Sequence, residues 1–420
     1  MELEKVFTCP RTLNKLRTGP LANLLEGFSH WLLIEGFTRN CIRQHLSRLL
    51  HFNEYLGKAT APPRTVVTAK DIEGFFRVYP YQFRNRGPLE DHLLRIHRSI
   101  NRFVAYLDLK GRFEPLVQAP IYQTLMDEYL HWLRYYQHST DGTLAVRAHS
   151  ISRFLQWLGP KATAEGLARL TPEKIETFFL DHAQAMGQAE RRSMQSALRT
   201  FLRFGLQQGY FRHSLDQAVP TLRTYKLSTV PRALTEEQAQ RIIDAVDIRA
   251  HSGRRDYAIL QLLYTYGVRG GQVRALRMED IRWADNQILF RASKNGKDSL
   301  LPISDEVGQS LLDYIRYARP HYSYPQVFLT CRAPYHPLTD SSSLSAIVNR
   351  HIRAARIDVP SKGAHAFRHG FATRMVEKGH TLKEVADVLG HRHLSTTFIY
   401  TKVDFNALKQ VALDWPEEVD

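Results

Sequence analysis

The segment HAFRHGFATRMVEKGHTLKEVADVLGHRHLSTTFIY, residues 365–400, contains the signals of two consecutive helices. We expect the first helix over 365–378, with Gly379 in the left-handed conformation that commonly ends a helix. The tetrapeptide TLKE at 381–384 has the Thr and Glu of a capping box, which begins a second helix. That helix is predicted to stop at Gly390, so the remaining residues of the segment follow a helix end.

The residues before this segment predict a domain that mixes helices with a small sheet. A second capping box, TEEQ at 235–238, opens the domain, and the nearly all-apolar stretch YAILQLLYTYGVR at 257–269 is expected to be a buried helix. Residues 280–304 have a strand pattern, with turn signals at Asp285-Asn286 and Asn295-Gly296. Further helices are expected at about 305–319 and 340–356. The pattern indicates a small antiparallel sheet packed on helices.

The N-terminal half contains an internal repeat. Four segments recur in the same order after 98 to 103 residues: HWL at 30 and 131, EYLG at 54 and QWLG at 156, VTAKDIEGFF at 67 and LTPEKIETFF at 170, and RFVAYLDLKGRF at 102 and TFLRFGLQQGYF at 200. Chance similarity between two amphipathic helical regions does not account for four collinear matches. We therefore predict two copies of one unit of four or five helices.

These patterns divide the chain into six predicted segments. They are an N-terminal tail over 1–20, a first helical repeat over 21–118, a second helical repeat over 121–219, a linker over 220–234, a mixed domain over 235–404 and a C-terminal tail over 405–420. The linker is predicted because Pro220 and Pro231 stand among basic and polar residues without periodicity. The predicted fold class is mainly α, with duplicated helical N-terminal domains followed by an α+β domain that has a small antiparallel sheet.

The charge balance favours a polyanionic partner, and nucleic acid is the leading candidate. Lys and Arg number 57 against 42 Asp and Glu, which gives a formal net charge of +15. Cys9, Cys41 and Cys331 have no paired spacing, which argues against a disulfide framework or a zinc knuckle and fits a reducing compartment. We find no signal-peptide pattern and no apolar stretch long enough for a membrane span, so a cytoplasmic protein with no membrane partner is expected.

Residues able to act on a phosphodiester occur in separate segments of the 235–404 domain. They are Arg269 after the buried helix, Lys294 before the hairpin turn, His365 and Arg368 on one helix face, His391 after Gly390, and Tyr400. Each is a weak signal alone, because the pattern His-x-x-Arg occurs five times in this chain. The ordered set is what points to a function.

This ordered set resembles the tyrosine recombinase (phage integrase) family, including its Xer-type chromosome recombinases. The segments GVRGGQVRALRMEDI, SKNGKDSLLPI, HAFRHGFATRMVEKG and VADVLGHRHLSTTFIYTKV look respectively like the first-arginine box, the β-hairpin lysine segment, the His-x-x-Arg box and the Leu-Gly-His box that runs to the tyrosine. The resemblance covers roughly 232–404 and is specific, because four boxes occur in order at family-like spacing. More loosely, the N-terminal half is similar to the helical core-binding domain of these enzymes, here in two DNA-binding copies.

The resemblance implies a catalytic domain that breaks and rejoins DNA strands through a 3′-phosphotyrosyl intermediate. It assigns Tyr400 as the nucleophile, Arg269 and Arg368 as phosphate-neutralising groups, Lys294 as the general acid, His365 as a proton-transfer group and His391 as a phosphate hydrogen-bond donor. No cofactor is implied, because the broken bond's energy is held in the protein–DNA linkage. No metal is implied either, because the arginines stand where a nuclease would use one and no carboxylate cluster accompanies them.

The sequence departs from the family pattern at one position, and several alternative functions remain open. The family usually has an acidic residue three positions after its first arginine, where this chain has Gln272, which can accept a hydrogen bond without charge assistance. This departure supports a catalytically impaired architectural DNA-binding protein as one alternative. Type IB topoisomerase-like DNA relaxation is a second, and a metal-dependent nuclease, distinguished by its sensitivity to EDTA, is a third.

The expected partner is double-stranded DNA, bound by a homotetramer that brings two sites together. Apolar residues at helical spacing in the 405–420 tail predict packing on a neighbouring subunit, with packing on its own subunit as the alternative. Other recombinase subunits are further possible partners. The duplicated helical unit suggests an extended or two-part footprint, and hence a nucleoid-associated integrase of a mobile genetic element.

Overall fold

The structure is a computed structural model. It describes residues 2–57, 64–82, 88–115, 120–221, 233–292, 298–338, 340–358, 363–390 and 397. The chain divides into two compact units: residues 115–226 form one, and residues 1–114 together with 227–420 form the other. In the described part of the chain, no helix combines the length and apolar character needed to cross a membrane.

The first part of the larger unit is a helical bundle with its own core. Its helices are α1 (Glu2–Val6), α2 (Pro10–Thr18), α3 (Ala22–Ile34), α4 (Arg39–Gly57), α5 (Ala69–Gln82) and α6 (Leu89–Leu109). Two short parallel strands, β1 (Val67–Thr68) and β2 (Phe113–Glu114), pair beside it. Leu3, Val6 and Leu16 are fully buried in the core of this bundle. The first twenty residues, expected to be a tail, therefore form two helices of the bundle, because their apolar side chains have a core to enter.

The smaller unit is a second helical bundle. Its helices are α7 (Gln123–Tyr136), α8 (Asp141–Leu158), α9 (Ala164–Ala168), α10 (Pro172–Ala183) and α11 (Gln188–Gln207). Helix α10 begins as its sequence predicts, with Thr171 as the N-cap residue and Pro172 in the first turn. Buried aromatic, leucine and methionine side chains from all five helices form a separate core.

The two bundles have equivalent aromatic contacts at the positions that the sequence repeat aligns. Phe28 and Phe103 meet edge-on with ring centroids 5.2 Å apart, and Tyr129 and Phe201 meet in the same way at 5.2 Å. A second edge-on pair also recurs: Phe52–Phe75 at 5.3 Å and Phe154–Phe178 at 5.0 Å. These pairs support a duplicated unit, while the predicted domain boundaries stay predictions.

The rest of the larger unit is the expected mixture of helices and a small sheet. Its helices are α12 (Glu236–Asp244), α13 (Gly253–Tyr266), α14 (Gly270–Ala275), α15 (Asp305–Tyr317), α16 (Ser341–Ala354), α17 (Ala364–Glu377) and α18 (Leu382–Val388). The strands β3 (Ile281–Arg282), β4 (Gln287–Phe290) and β5 (Ser299–Pro302) form an antiparallel sheet in that order. Helix α13 packs against both α15 and α17, and its residues 258–263 are all buried. The predicted buried helix is therefore the centre of this core.

The predicted local signals are largely found in the structure. Both capping boxes, at Thr235 and Thr381, are formed. Gly379 and Gly390 have the positive φ values expected after helix ends, and Asn286 is left-handed in the β3–β4 turn. The second turn, Asn295-Gly296, lies outside the described residues, but the strands on either side of it pair as expected.

Candidate active site

The position of Arg269 is determined by the abrupt end of α13. Gly267, the residue after the helix, has a left-handed backbone with φ of 58°. An added Cβ there would lie 2.5 Å from the ring of Phe371, so both conformation and space require glycine. The chain then turns, and Arg269 stands at the N-cap position of α14 with an extended backbone. The predicted helix over 257–269 is thus three residues too long at its C-terminal end.

Arg368 is buried within α17 and is held by two backbone carbonyls. Its side chain is 5% exposed. One terminal nitrogen donates to the carbonyl oxygen of Gly267 and the other to that of Leu389, both at 2.9 Å. The guanidinium therefore connects the end of α13 to the end of α18.

Arg269 points its guanidinium at the same helix end. Its Nη1 donates to the carbonyl oxygen of Leu389 at 3.3 Å, and both terminal nitrogens lie within 3.5 Å of the carbonyl oxygen of Gly390. Partial burial lowers the pKa of the Arg269 guanidinium, which still carries its charge at neutral pH. The fold therefore brings together two arginines that the sequence places in separate segments.

Helix α18 provides the acceptors for this pair. Thr381 and Glu384 cap its first turn reciprocally: the Thr381 Oγ1 accepts from the backbone N–H of Glu384, and the Glu384 carboxylate accepts from that of Thr381. At the other end, the unpaired carbonyls carry the negative end of the helix dipole, which favours guanidinium groups. Gly390 ends the helix with φ of 62°. Its successor in the sequence, His391, lies outside the described residues.

His365 and His369 share one face of α17 near Arg368. Their ring centroids are 6.4 Å apart, and His365 is exposed while His369 is half-buried. Burial, followed by the charges of His365 and Arg368, lowers the pKa of His369. The sequence-based candidates omitted His369, although its position four residues after His365 places it on the same helix face.

The side chain of Gln272 forms a hydrogen bond with the backbone of Arg269. Its Oε1 accepts a hydrogen bond from the backbone N–H of Arg269 at 3.0 Å, and its Nε2 donates to the carbonyl oxygen of Arg291 at 3.4 Å. The side chain is only 4% exposed. A glutamine can therefore cap α14 and fix the N-cap residue without a charge.

Three of the six predicted catalytic residues, Lys294, His391 and Tyr400, lie outside the described residues. The strands that flank Lys294, β4 and β5, are paired, and the carboxylate of Asp298 accepts from the backbone N–H of Ala292 at the base of that loop. Their assigned roles stay predictions. Over the described ranges, no group of three His, Cys, Asp or Glu residues is arranged to hold a metal ion.

Comparison with known proteins identifies the family. The family model described as the phage integrase family matches residues 232–407. A protein of Sinorhizobium fredii named as an integrase/recombinase, y4rA, is 36% identical over 419 residues, which cover 97% of each chain. The chain belongs to the phage integrase family. It is a tyrosine-type site-specific recombinase, and the predicted family resemblance is confirmed. Tyrosine recombinase XerA of Pyrococcus furiosus is 29% identical, over 68% of this chain and 92% of that protein.

Solved structures share the recombinase fold. A XerH site-specific recombinase in a post-cleavage complex with palindromic difH substrate matches 70% of this chain and 85% of its own, with 18% identity and a TM-score of 0.55. A lambda integrase dimer bound to a COC' core site matches 80% of this recombinase and 95% of its own chain, with 18% identity and a TM-score of 0.52. The predicted fold class, mainly helical with a small antiparallel sheet, is therefore confirmed.

Proposed function

We propose that this recombinase cleaves and rejoins double-stranded DNA through a covalent bond between Tyr400 and a 3′-phosphate. The phenolic oxygen attacks phosphorus, the bond from phosphorus to the 5′-oxygen breaks, and the phenolic proton leaves to a base. A 5′-hydroxyl is released with a proton from Lys294. The reverse attack by a 5′-hydroxyl of another strand completes the exchange, so no energy cofactor is consumed.

The side chains around the phosphate have distinct roles in this proposal. Arg269 and Arg368 neutralise the non-bridging oxygens as forked donors that match phosphate geometry. His365 assists proton transfer at the tyrosine, and His391 donates a hydrogen bond to a phosphate oxygen. A phenol with an ordinary pKa of about 10 is about one part in a thousand ionised at neutral pH, so these positive groups also have to favour the phenolate.

The observation that carries this proposal is the common acceptor of the two arginines. The guanidiniums of Arg269 and Arg368 both donate to the carbonyl of Leu389, two residues before His391. Transition-state stabilisation in phosphoryl transfer depends mainly on such fixed positive charge. Neither architectural binding nor simple DNA affinity requires two arginines to share an acceptor at the end of this particular helix.

The assembly we propose is a homotetramer that holds two DNA duplexes. A lambda integrase tetramer bound to a Holliday junction matches 76% of this chain with a TM-score of 0.51. We infer that the 405–420 tail packs on a neighbouring subunit. Deletion of 405–420 is then expected to weaken synapsis more than binding to a single site, and equal loss of both would count against the inference.

We also infer the cellular setting. The protein y4rA, matched over nearly the whole chain, is named as an integrase/recombinase, which supports a role in integrating a mobile genetic element. Its DNA substrate would place the protein with the nucleoid. Other recombinase subunits can join the same assembly if they present the same tail-binding surface.

Strand exchange between separate DNA molecules tests the function. Labelled duplexes tiled across the DNA on both sides of the gene are incubated with the purified chain in EDTA and without nucleotide. We expect joined products that contain DNA from two molecules. Plasmid relaxation without exchange would favour a topoisomerase-like activity, binding without cleavage an architectural role, and inhibition by EDTA a metal-dependent nuclease.

A further inference from the structure

The first helical bundle has a cluster of arginines where α4 and α6 pack together. Arg95, Arg98 and Arg102 follow one face of α6 at spacings of three and four residues. Arg48 of α4 lies close enough to Arg95 and Arg98 for their charges, after burial, to lower its pKa. Arg95 and Arg98 are exposed, and Arg48 and Arg102 are half-buried. We call these four residues the α4–α6 arginine face.

Contacts beneath this face hold it in place. Ser99 is fully buried and donates to the carbonyl oxygen of Arg95 at 3.1 Å. Its oxygen also accepts from Nη1 of Arg48 at 3.4 Å and lies 3.0 Å from Nδ1 of His45. Gln44 accepts from the other terminal nitrogen of Arg48 at 3.2 Å. The guanidinium of Arg48 is therefore partly preorganised.

Within α4 and α6 the acidic residues lie away from this face, although Glu35, which precedes α4, lies close enough to Arg102 for its charge to act on the pKa of that guanidinium. Within α4 and α6, both fully described, the acidic residues are near the helix ends: Glu54, Glu90, Asp91 and Asp108. Glu54 pairs with Lys15. The crowding of positive charge also affects His45, whose pKa falls to about 4 through burial and then through Arg102 and Arg48. Like charges held this close cost free energy unless a polyanion binds them.

The arginines are not a requirement of the fold. The repeat aligns Arg95 with Ser193, Arg98 with Ser196, and Arg102 with Thr200, and it aligns Arg48 with Ser150. The second bundle keeps the equivalent aromatic contacts with these hydroxyl residues in place of arginines. Arginines at these four positions are therefore a feature of the first bundle that its fold does not require.

We propose that the α4–α6 arginine face is an additional DNA-binding surface, which grips the phosphate backbone of duplex DNA independently of sequence. Residues 95 to 102 span about 10 Å along α6, the length of about three phosphates of one strand measured along the duplex axis. Arginines bind phosphates through forked donors, and contacts of this kind supply affinity and register. The first bundle then increases the length of DNA that each subunit contacts.

Salt-dependent binding of the full chain to a duplex of arbitrary sequence, three helical turns long, tests this proposal. The variant Arg48→Ala/Arg95→Ala/Arg98→Ala loses up to three phosphate contacts. We expect the slope of log binding constant against log salt to fall in magnitude by about 2–3. The control Lys70→Ala/Arg77→Ala/Lys110→Ala removes the same charge from exposed positions of the same bundle and should change the slope by less than about 1. Equal changes in the two variants would overturn the proposal.

Further variants separate this result from misfolding and from the catalytic proposal. Arg95→Glu/Arg98→Glu alters two exposed positions only, and should weaken binding further than alanine does while leaving the melting temperature unchanged. Replacement of all three arginines by lysine should restore the slope. A larger loss for single-stranded RNA than for duplex DNA would also contradict the proposal. Failure of Tyr400 to form a covalent adduct would refute the cleavage mechanism and leave the slope measurement unaffected.

Discussion

Arg269 and Arg368 donate to one acceptor, the carbonyl oxygen of Leu389, at 3.3 and 2.9 Å respectively. The two contacts differ in kind. Arg368 is buried and makes a second short bond to the carbonyl of Gly267, whereas the half-buried Arg269 guanidinium donates to the carbonyls of Leu389 and Gly390 at 3.3 to 3.5 Å. We infer that Arg368 fixes the helix end and that Arg269 can more readily redirect its donors to a phosphate.

This difference predicts separable effects of two alanine variants. Arg368→Ala should lower the free energy of unfolding by about 1–3 kcal/mol, because the buried carbonyl of Gly267 loses this donor and that of Leu389 loses the shorter of its two arginine contacts. Arg269→Ala should cost less than about 1 kcal/mol in stability and lower the cleavage rate by about 10²–10³. Urea unfolding and single-turnover cleavage measure the two quantities. A larger loss of stability in Arg269→Ala would contradict the assignment.

Because Gly267 forms the turn after α13, its replacement should disturb the positions of both arginines. Gly267→Ala forces a side chain into a left-handed backbone at about 1–2 kcal/mol and brings it against Phe371, so both stability and cleavage should fall. Gly271→Ala is the matched control: it lies within α14, and its added Cβ would lie 3.9 Å from Arg274 Nη2, an ordinary contact distance. That variant should be neutral or more stable by up to about 1 kcal/mol. Thermal melting of both variants measures these changes in stability.

Gln272 allows a test of how α14 begins. Gln272→Ala removes the acceptor for the backbone N–H of Arg269 and should cost about 1 kcal/mol, as the loss of a helix cap does. Gln272→Glu keeps that acceptor but loses the donor to the carbonyl of Arg291, so it should be the more stable of the two variants. Melting temperatures and cleavage rates test the order. A Gln272→Ala variant with unchanged stability would rule out the capping role.

The lowered pKa of His45 predicts that acid destabilises the first bundle. Its pKa is about 4 in the folded chain against 6.5 in the unfolded chain, because burial and then Arg102 and Arg48 disfavour its charge. The unfolded state therefore binds more protons between these values, and the free energy of unfolding falls as the pH drops from 6.5 towards 4. His45→Gln should make this dependence shallower. His51 and His92, whose pKa values are also lowered by burial, remain to give a residual slope.

Hydrogen exchange in α4 and α6, corrected for intrinsic rates, measures the effect at about pH 7 and pH 5. His149→Gln, at an exposed position of the second bundle, is the control. It should leave the pH dependence of α4 and α6 unchanged. Equal slopes for the His45→Gln variant and the unaltered chain would contradict the prediction.

Local signals in the sequence were sufficient for much of the catalytic domain. The capping boxes at Thr235 and Thr381 and the glycines at 379 and 390 depend on backbone chemistry that neighbouring residues determine. The end of α13 was placed too late, because Val268 and Arg269 continue an apolar and basic pattern while Gly267 already stops the helix. The first twenty residues were interpreted as a tail because their burial depends on α3, α4 and α6, which no local pattern reveals.

The site shows the same division between local and long-range information. Residue order and family resemblance selected Arg269 and Arg368, but their common acceptor is a backbone carbonyl, which has no sequence signature. The capping contact of Gln272 was missed for the same reason, because its partner is the backbone N–H of Arg269. His369 was detectable from its spacing to His365, although its partial burial was not.

We propose that the bond to Tyr400 stores the energy of the broken DNA strand. The most direct measurement traps the complex on a nicked suicide duplex from the flanking DNA and maps the DNA-linked peptide by mass spectrometry. We expect a 3′-phosphate on Tyr400 and no adduct with Tyr400→Phe, which still binds the duplex. A linkage to any other residue, or an adduct formed by Tyr400→Phe, would contradict it.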